Sequence, residues 1–109
     1  MAGTKPPLRK LVALKRQRAE QVLLTVQSEL VSLNRELASR EASLAALDGG
    51  DDGLEARLLA HRNGHARRLI IEIRDCRERI VQKERDLLQA RENLKRVFDS
   101  EERLRRQSL

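Results

Sequence analysis

Apolar residues recur every seven positions in both halves of this chain, and this repeat limits its fold more than any other feature. In the first half, one column of the repeat consists of leucines and a second, mostly apolar column follows three residues later. The columns are Leu23, Leu30, Leu37 and Leu44, and Val12, Ala19, Val26, Leu33, Arg40 and Leu47. This spacing is that of the a and d positions of a coiled coil. Pro6 and Pro7 suit the first turn of a helix, so the pattern predicts a first helix over about residues 7–47.

The second half carries the same pattern. Its a column is Ala66, Ile73, Ile80, Leu87 and Leu94, and its d column is Leu69, Cys76, Lys83, Ala90, Val97 and Leu104. Asp52, followed three residues later by Glu55, is typical of a helix N-terminus, because carboxylates there lie close to unpaired backbone amides. The sequence therefore predicts a second helix over about residues 53–107.

The two repeats are joined by LDGGDDGLE at residues 47–55, which holds three of the five glycines. Either apolar stripe alone would stay in water, so the chain buries both by turning once, at about residues 48–52, and folding back. We therefore predict an all-α fold in which residues 1–109 form one antiparallel coiled-coil hairpin of two long helices. Counting pairs outward equally from the loop places Leu8 near residue 93 and leaves the later residues as an overhang.

Charged side chains interrupt the predicted seam between the helices. The core-type positions that hold them are Arg16, Arg40, Lys83 and Glu101. Long side chains can reach water from a thin two-helix seam, and this is the interpretation we favour. The alternatives are that they fix the register of the helices, or mark where a third helix or another protein packs.

The motifs of enzyme active sites are missing from this sequence. It has no Gly-rich phosphate loop and no nucleophile elbow, and its carboxylates fall on predicted solvated faces. His61 and His65 share a helix face at metal-ligand spacing, but the arginines in the same turns would repel a cation. Cys76, the only cysteine, occupies a d position that suits a small buried side chain. We predict no catalysis, no cofactor and no metal site.

Positive charge is concentrated towards both ends of the chain. The net charge is +6 with a pI of about 10.4; residues 1–19 carry +6, residues 91–109 carry +2 and the remainder −2. Both end segments meet at the open end of the predicted hairpin, so that end favours an acidic protein partner. Specific nucleic-acid binding is disfavoured, because Phe98 is the only aromatic residue available for stacking. No apolar run is long enough for an integral membrane segment, although residues 8–14 form a weak membrane-surface pattern.

The first helix opens LRKLVALKRQRAEQVLLTVQSELVSLNREL, in which three spaced leucines precede a basic stretch. The second helix closes with RENLKRVFDSEERLRRQ. A short, basic, cysteine-poor chain with these two heptad helices resembles the FliJ/YscO family. The members of that family are the coiled-coil stalk proteins of bacterial type III secretion systems, either flagellar or injectisome.

This resemblance implies a non-catalytic protein of the cytoplasm, peripheral to a membrane-embedded secretion apparatus. Its basic open end would enter a hexameric secretion ATPase, promote the assembly or activity of that ring, and couple it to an export-gate protein, with chaperones as further partners. By analogy, the residues that would contact the ring are Lys10, Arg16, Arg18, Arg91 and Arg96.

Two other functions fit the same pattern. In the first, the hairpin is a tether or scaffold whose ends bind unrelated proteins, so that its length matters more than its charge. In the second, it is a basic RNA-binding arm. Self-association into a four-helix bundle is also compatible with the sequence, since Val22, Leu24 and Val31 lie outside the ideal seam.

Overall fold

Two long helices make up the described part of the chain. The computed structural model describes residues 7–48 and 56–107, and the side chains of residues 7–47 and 62–107. Helix α1 spans Leu8–Asp48 and helix α2 spans Ala56–Gln107. The Pro7 carbonyl accepts hydrogen bonds from the amides of Lys10 and Leu11, at 2.9 and 3.2 Å, and so begins the α1 ladder. The remainder of the predicted loop, residues 49–52, and the cap at Asp52 and Glu55 lie outside the described residues.

Contacts between the helices group the hairpin into two compact units. The terminal unit consists of Met1–Ser28 and Glu84–Leu109, and the loop unit consists of Glu29–Lys83. In the loop unit, Glu29 pairs with Lys83 and Arg40 pairs with Glu72. Partners therefore descend along α2 as α1 ascends, which is antiparallel packing. The predicted all-α antiparallel coiled-coil hairpin is confirmed.

The buried side chains lie in the predicted columns. In the terminal unit they are Ala19, Val26 and Ala90, and in the loop unit Leu69, Ile73, Cys76 and Ile80. The best covered of them, Ala19 and Cys76, are still 3% exposed, because a seam between two helices is open to solvent along both flanks. Most of this hairpin's stability must come from the area buried along the seam, since isolated helices are marginal in water.

The register of the helices differs from the sequence-based prediction. Equal counting from the loop would place Leu33 opposite Arg68; instead, the Cys76 thiol donates to the Leu33 carbonyl at 3.4 Å. In the terminal unit, Arg9 lines a cleft together with Leu104, so the predicted overhang beyond residue 93 is wrong. The reason is that a and d columns of antiparallel helices face each other only in registers seven residues apart, and equal counting does not give one of them.

The four charged residues of the seam are ion-paired between the helices. Arg16 Nε lies 2.8 Å from Glu101 Oε2, Arg40 Nε lies 3.0 Å from Glu72 Oε2, and Lys83 Nζ lies 2.5 Å from Glu29 Oε2. The three cationic side chains are also 28–29% exposed. Partial escape to water and cross-helix pairing therefore occur together, and the pairing links the helices at the observed register.

Gly64 is a point at which α2 can be strengthened. It lies in the helix, and a Cβ atom added there would meet no atom within 4 Å. Gly64→Ala should therefore stabilise the hairpin by about 0.5–1 kcal/mol, through the lower backbone entropy of the unfolded chain. Urea denaturation followed by circular dichroism measures the change. An unchanged or lower midpoint would show that α2 does not need to be helical at this residue for the hairpin to be stable.

Candidate partner-binding surface

Four of the five cationic residues assigned to partner binding are exposed in the terminal unit. They are Lys10, Arg18, Arg91 and Arg96. The closest acid to the Arg96 guanidinium is Glu92 on the same helix, at 3.7 Å, and both side chains are about three-quarters exposed. Such a pair contributes little to stability, so Arg96 can exchange Glu92 for a carboxylate on another protein.

The fifth residue, Arg16, is bound within the hairpin. Its guanidinium donates to Glu20 at 3.0 Å and to Glu101 at 2.8 Å, and its Cζ lies 6.0 Å from the centre of the Phe98 ring. The hydrogen bond to Glu20, followed by the charge of Glu101, raises the pKa of Arg16. This side chain therefore holds α1 and α2 together, and a partner could engage it only by competing with two carboxylates.

Exposed leucines lie beside the cations at the start of α1. Leu8, Leu11 and Leu14 are 62%, 41% and 52% exposed. Their three-residue spacing places them along one side of the helix, and they fall outside both seam columns, which is the sequence signal by which they could have been assigned to a contact surface. Large apolar side chains among cations suit an acidic protein surface that also offers apolar pockets.

The C-terminal turns of α2 add further arginines. Arg105 and Arg106 lie in its last turn, where positive charge is favourable beside the negative end of the helix dipole. Both are 3.7 Å from Glu102. A surface cleft of about 270 Å³ is lined by Arg9, Glu101, Leu104 and Arg105. The terminal unit therefore presents cations from both helices.

The loop unit contains an ionic cluster centred on Arg40. Arg40 Nη1 lies 2.6 Å from Glu36 Oε1, and Arg40 Nε lies 3.0 Å from Glu72 Oε2. The hydrogen bonds that Arg40 donates to Glu36 and then to Glu72 raise the pKa of Arg40, and the one that it donates to Glu36 lowers the pKa of Glu36. Since the cluster joins α1 to α2 and uses all three charges internally, we assign it to stability and register.

The cysteine and the histidines do not form a common site in the part of the chain that the structure describes. Cys76 is buried in the seam as a free thiol, as its d position predicted. His65 is exposed, and the His61 side chain lies outside the described residues. Among the side chains that the structure describes, no three His, Cys, Asp or Glu residues come close enough together to hold a metal ion.

Neither α1 nor α2, over the residues described, has an apolar stretch that could cross a membrane. Comparison with known proteins gives no match to a family model, a curated protein or a solved structure.

Proposed function

We propose that this chain is a non-catalytic central-stalk protein of a type III secretion ATPase complex. The terminal unit inserts into the hexameric ATPase ring, promotes ring assembly or activity, and couples the ring to an export-gate protein; chaperones are further partners. The protein acts in the cytoplasm, at the periphery of the membrane-embedded apparatus. The observation that carries the proposal is the grouping of exposed cations and leucines, drawn from both helices, on the terminal unit.

The chemistry of this surface supports a protein partner. The exposed cations steer the hairpin towards an acidic opening and raise the rate of association. The leucines at 8, 11 and 14 then supply apolar contact area, which cations alone lack. A ring of acidic loops around an apolar sleeve would match both features, and the seam pair of Arg16 and Glu101 would keep the two helices together as the terminal unit enters.

Neutralising the exposed cations tests this proposal. A variant in which Lys10, Arg18, Arg91 and Arg96 are all glutamine keeps every seam residue. ATP turnover by a flagellar and an injectisome ATPase is measured against the concentration of added hairpin. We expect the intact protein to stimulate turnover, and the variant to need about tenfold more protein for the same stimulation, because long-range attraction is lost.

The matched control removes four exposed cations from the loop unit. It replaces Arg35, Arg67, Arg68 and Arg79 with glutamine, so its net charge equals that of the first variant. Stimulation should be nearly unchanged. Equal losses of stimulation in both variants would show a nonspecific charge effect. If the folded intact protein did not stimulate ATP turnover, the proposed stalk function would be wrong. Binding to structured RNA at physiological salt would instead support the RNA-binding arm.

A further inference from the structure

A groove on the loop unit is separate from the surface assigned to the ATPase ring. It has a volume of about 550 Å³ and runs between α1 and α2. Its apolar wall is formed by Leu44 and Ala45 of α1 and by Ile70 and Ile73 of α2. Ile73 is buried in the seam, whereas Ile70 is 56% exposed. The groove therefore offers apolar surface that the hairpin itself leaves uncovered.

Side chains of different size line the two sides of this groove. On α1, the small and exposed Ala45 lies beside Leu44. On α2, the larger Ile70 is exposed beside the buried Ile73. Helix axes approach to about 8–10 Å according to the side chains between them, so Ala45 lets a third helix come close, and Ile70 supplies a side chain for it to pack against.

The rim of the groove carries more positive than negative charge. Arg74 and Arg77 line it, and Glu41, the acid that lines it, is bonded to Arg77 at 3.1 Å. Arg74 Nε lies 4.0 Å from Asp75 Oδ1, and both of these side chains are more than half exposed. Arg67, one heptad before Arg74, is also exposed. An occupant with acidic residues beside its apolar stripe complements this rim.

We infer that the groove binds an amphipathic helix from another protein, with an apolar stripe on Leu44, Ile70 and Ile73 and acidic flanks facing Arg74 and Arg67. A second copy of this chain is a poorer occupant, because it would bring the same excess of arginines against the rim. The inference is independent of the proposed function, since the groove lies in the loop unit and the ring-contact residues lie in the terminal unit.

Two synthetic peptides test the inference on the intact protein. Both are about 20 residues long, so that a helix is accessible to them, and both have leucine at the a and d positions of each heptad. One has glutamate at e and g and the other has lysine there; like charges keep each peptide from pairing with itself at pH 7. Fluorescence anisotropy at physiological salt measures their binding, and the glutamate peptide should bind at least about tenfold more tightly.

Two pairs of substitutions locate the site. Arg74→Glu and Ile70→Gln should each weaken binding of the glutamate peptide by roughly tenfold. The control for Arg74→Glu is Arg68→Glu, which makes the same charge change at a c position of the heptad, whereas Arg67 and Arg74 occupy b positions. The control for Ile70→Gln is Leu88→Gln, which removes a 62% exposed apolar side chain from the terminal unit. Each control should change the affinity by less than about twofold.

The outcomes that would overturn the inference are distinct. Equal binding of the two peptides would show that the occupant need not be acidic. Equal losses of affinity in the test and control variants would show that the peptide does not bind in the groove. A dimer in sedimentation equilibrium that dissociates on Ile70→Gln would show that a second copy covers this face. None of these results depends on an ATPase. The proposed stalk function can therefore be wrong while helix binding in the groove is right, and the groove inference can be wrong while the stalk function is right.

Discussion

Ile73→Ala should destabilise the hairpin by about 2–4 kcal/mol. Ile73 is 6% exposed, in the a column of α2, and its removal leaves a gap in the seam that only the facing helix could fill. Typical domains are stable by about 5–15 kcal/mol, and a two-helix hairpin without a second layer belongs at the lower end of that range. The substitution should therefore remove a large part of the free energy of unfolding, measured by urea denaturation with circular dichroism at 25 °C.

Ile71→Ala is the matched control for this prediction. It makes the same side-chain change two residues earlier in the same helix, but Ile71 is 46% exposed and occupies an f position, facing away from α1. Alanine also has the higher helix propensity, so the free energy of unfolding should change by less than about 0.5 kcal/mol. Similar losses at both residues would mean that seam burial does not determine stability and that Ile71 has a partner of its own.

The fold was predictable from the seven-residue period of the apolar residues. One segment with this period indicates a helix, and two such segments joined by a short loop indicate two helices that pack together. The columns containing Ile73 and Val26 were read from spacing alone, and both residues are buried. Such a prediction needs no knowledge of loop geometry, since two apolar stripes joined by a short loop bury each other when the chain folds back.

The register was not predictable from the same information. Heptad columns match in several registers seven residues apart, and apolar spacing alone does not choose among them. The observed register brings Arg40 to Glu72 and Lys83 to Glu29, so charged residues that interrupt the columns distinguish it from its neighbours. Selection of the register by these residues was one of the alternatives that the sequence left open, but their spacing does not identify the residues they pair with.

The candidate site was predictable only in part, for the same reason. Whether a cation at a given position is available depends on what the facing helix brings to it. Arg16 and Arg18 were both assigned to partner binding, yet Arg16 meets Glu101 across the seam while Arg18 is exposed. The core-type position of Arg16 indicated the seam but not the residue that it would meet there. The groove likewise depends on both helices, because Leu44 and Ala45 of α1 line it together with Ile70 of α2, and the pattern of one helix does not show which residues of the other lie opposite.

Arg40→Glu should lower the melting temperature at pH 7 by roughly 10 °C. The substitution removes the Arg40 guanidinium, which lies 2.6 and 3.0 Å from Glu36 and Glu72, and puts a third carboxylate beside these two. Three negative charges would then meet at one point of the seam, and repulsion between α1 and α2 would replace attraction. Arg35→Glu makes the same charge change on an exposed part of α1 and should shift the melting temperature far less.

The contribution of this cluster to stability should depend on pH with opposite signs in the natural protein and in Arg40→Glu. In the natural protein, the hydrogen bond from Arg40 lowers the folded-state pKa of Glu36, so the contribution of this pair is present above the unfolded pKa and is lost as pH falls below it. In Arg40→Glu, like charges raise the folded-state pKa values, and protonation relieves the repulsion as pH falls. Thermal unfolding of both proteins between pH 7 and pH 3 should therefore show their melting temperatures converging from a wide separation. A separation that stays constant with pH would place the effect in seam packing rather than in charge.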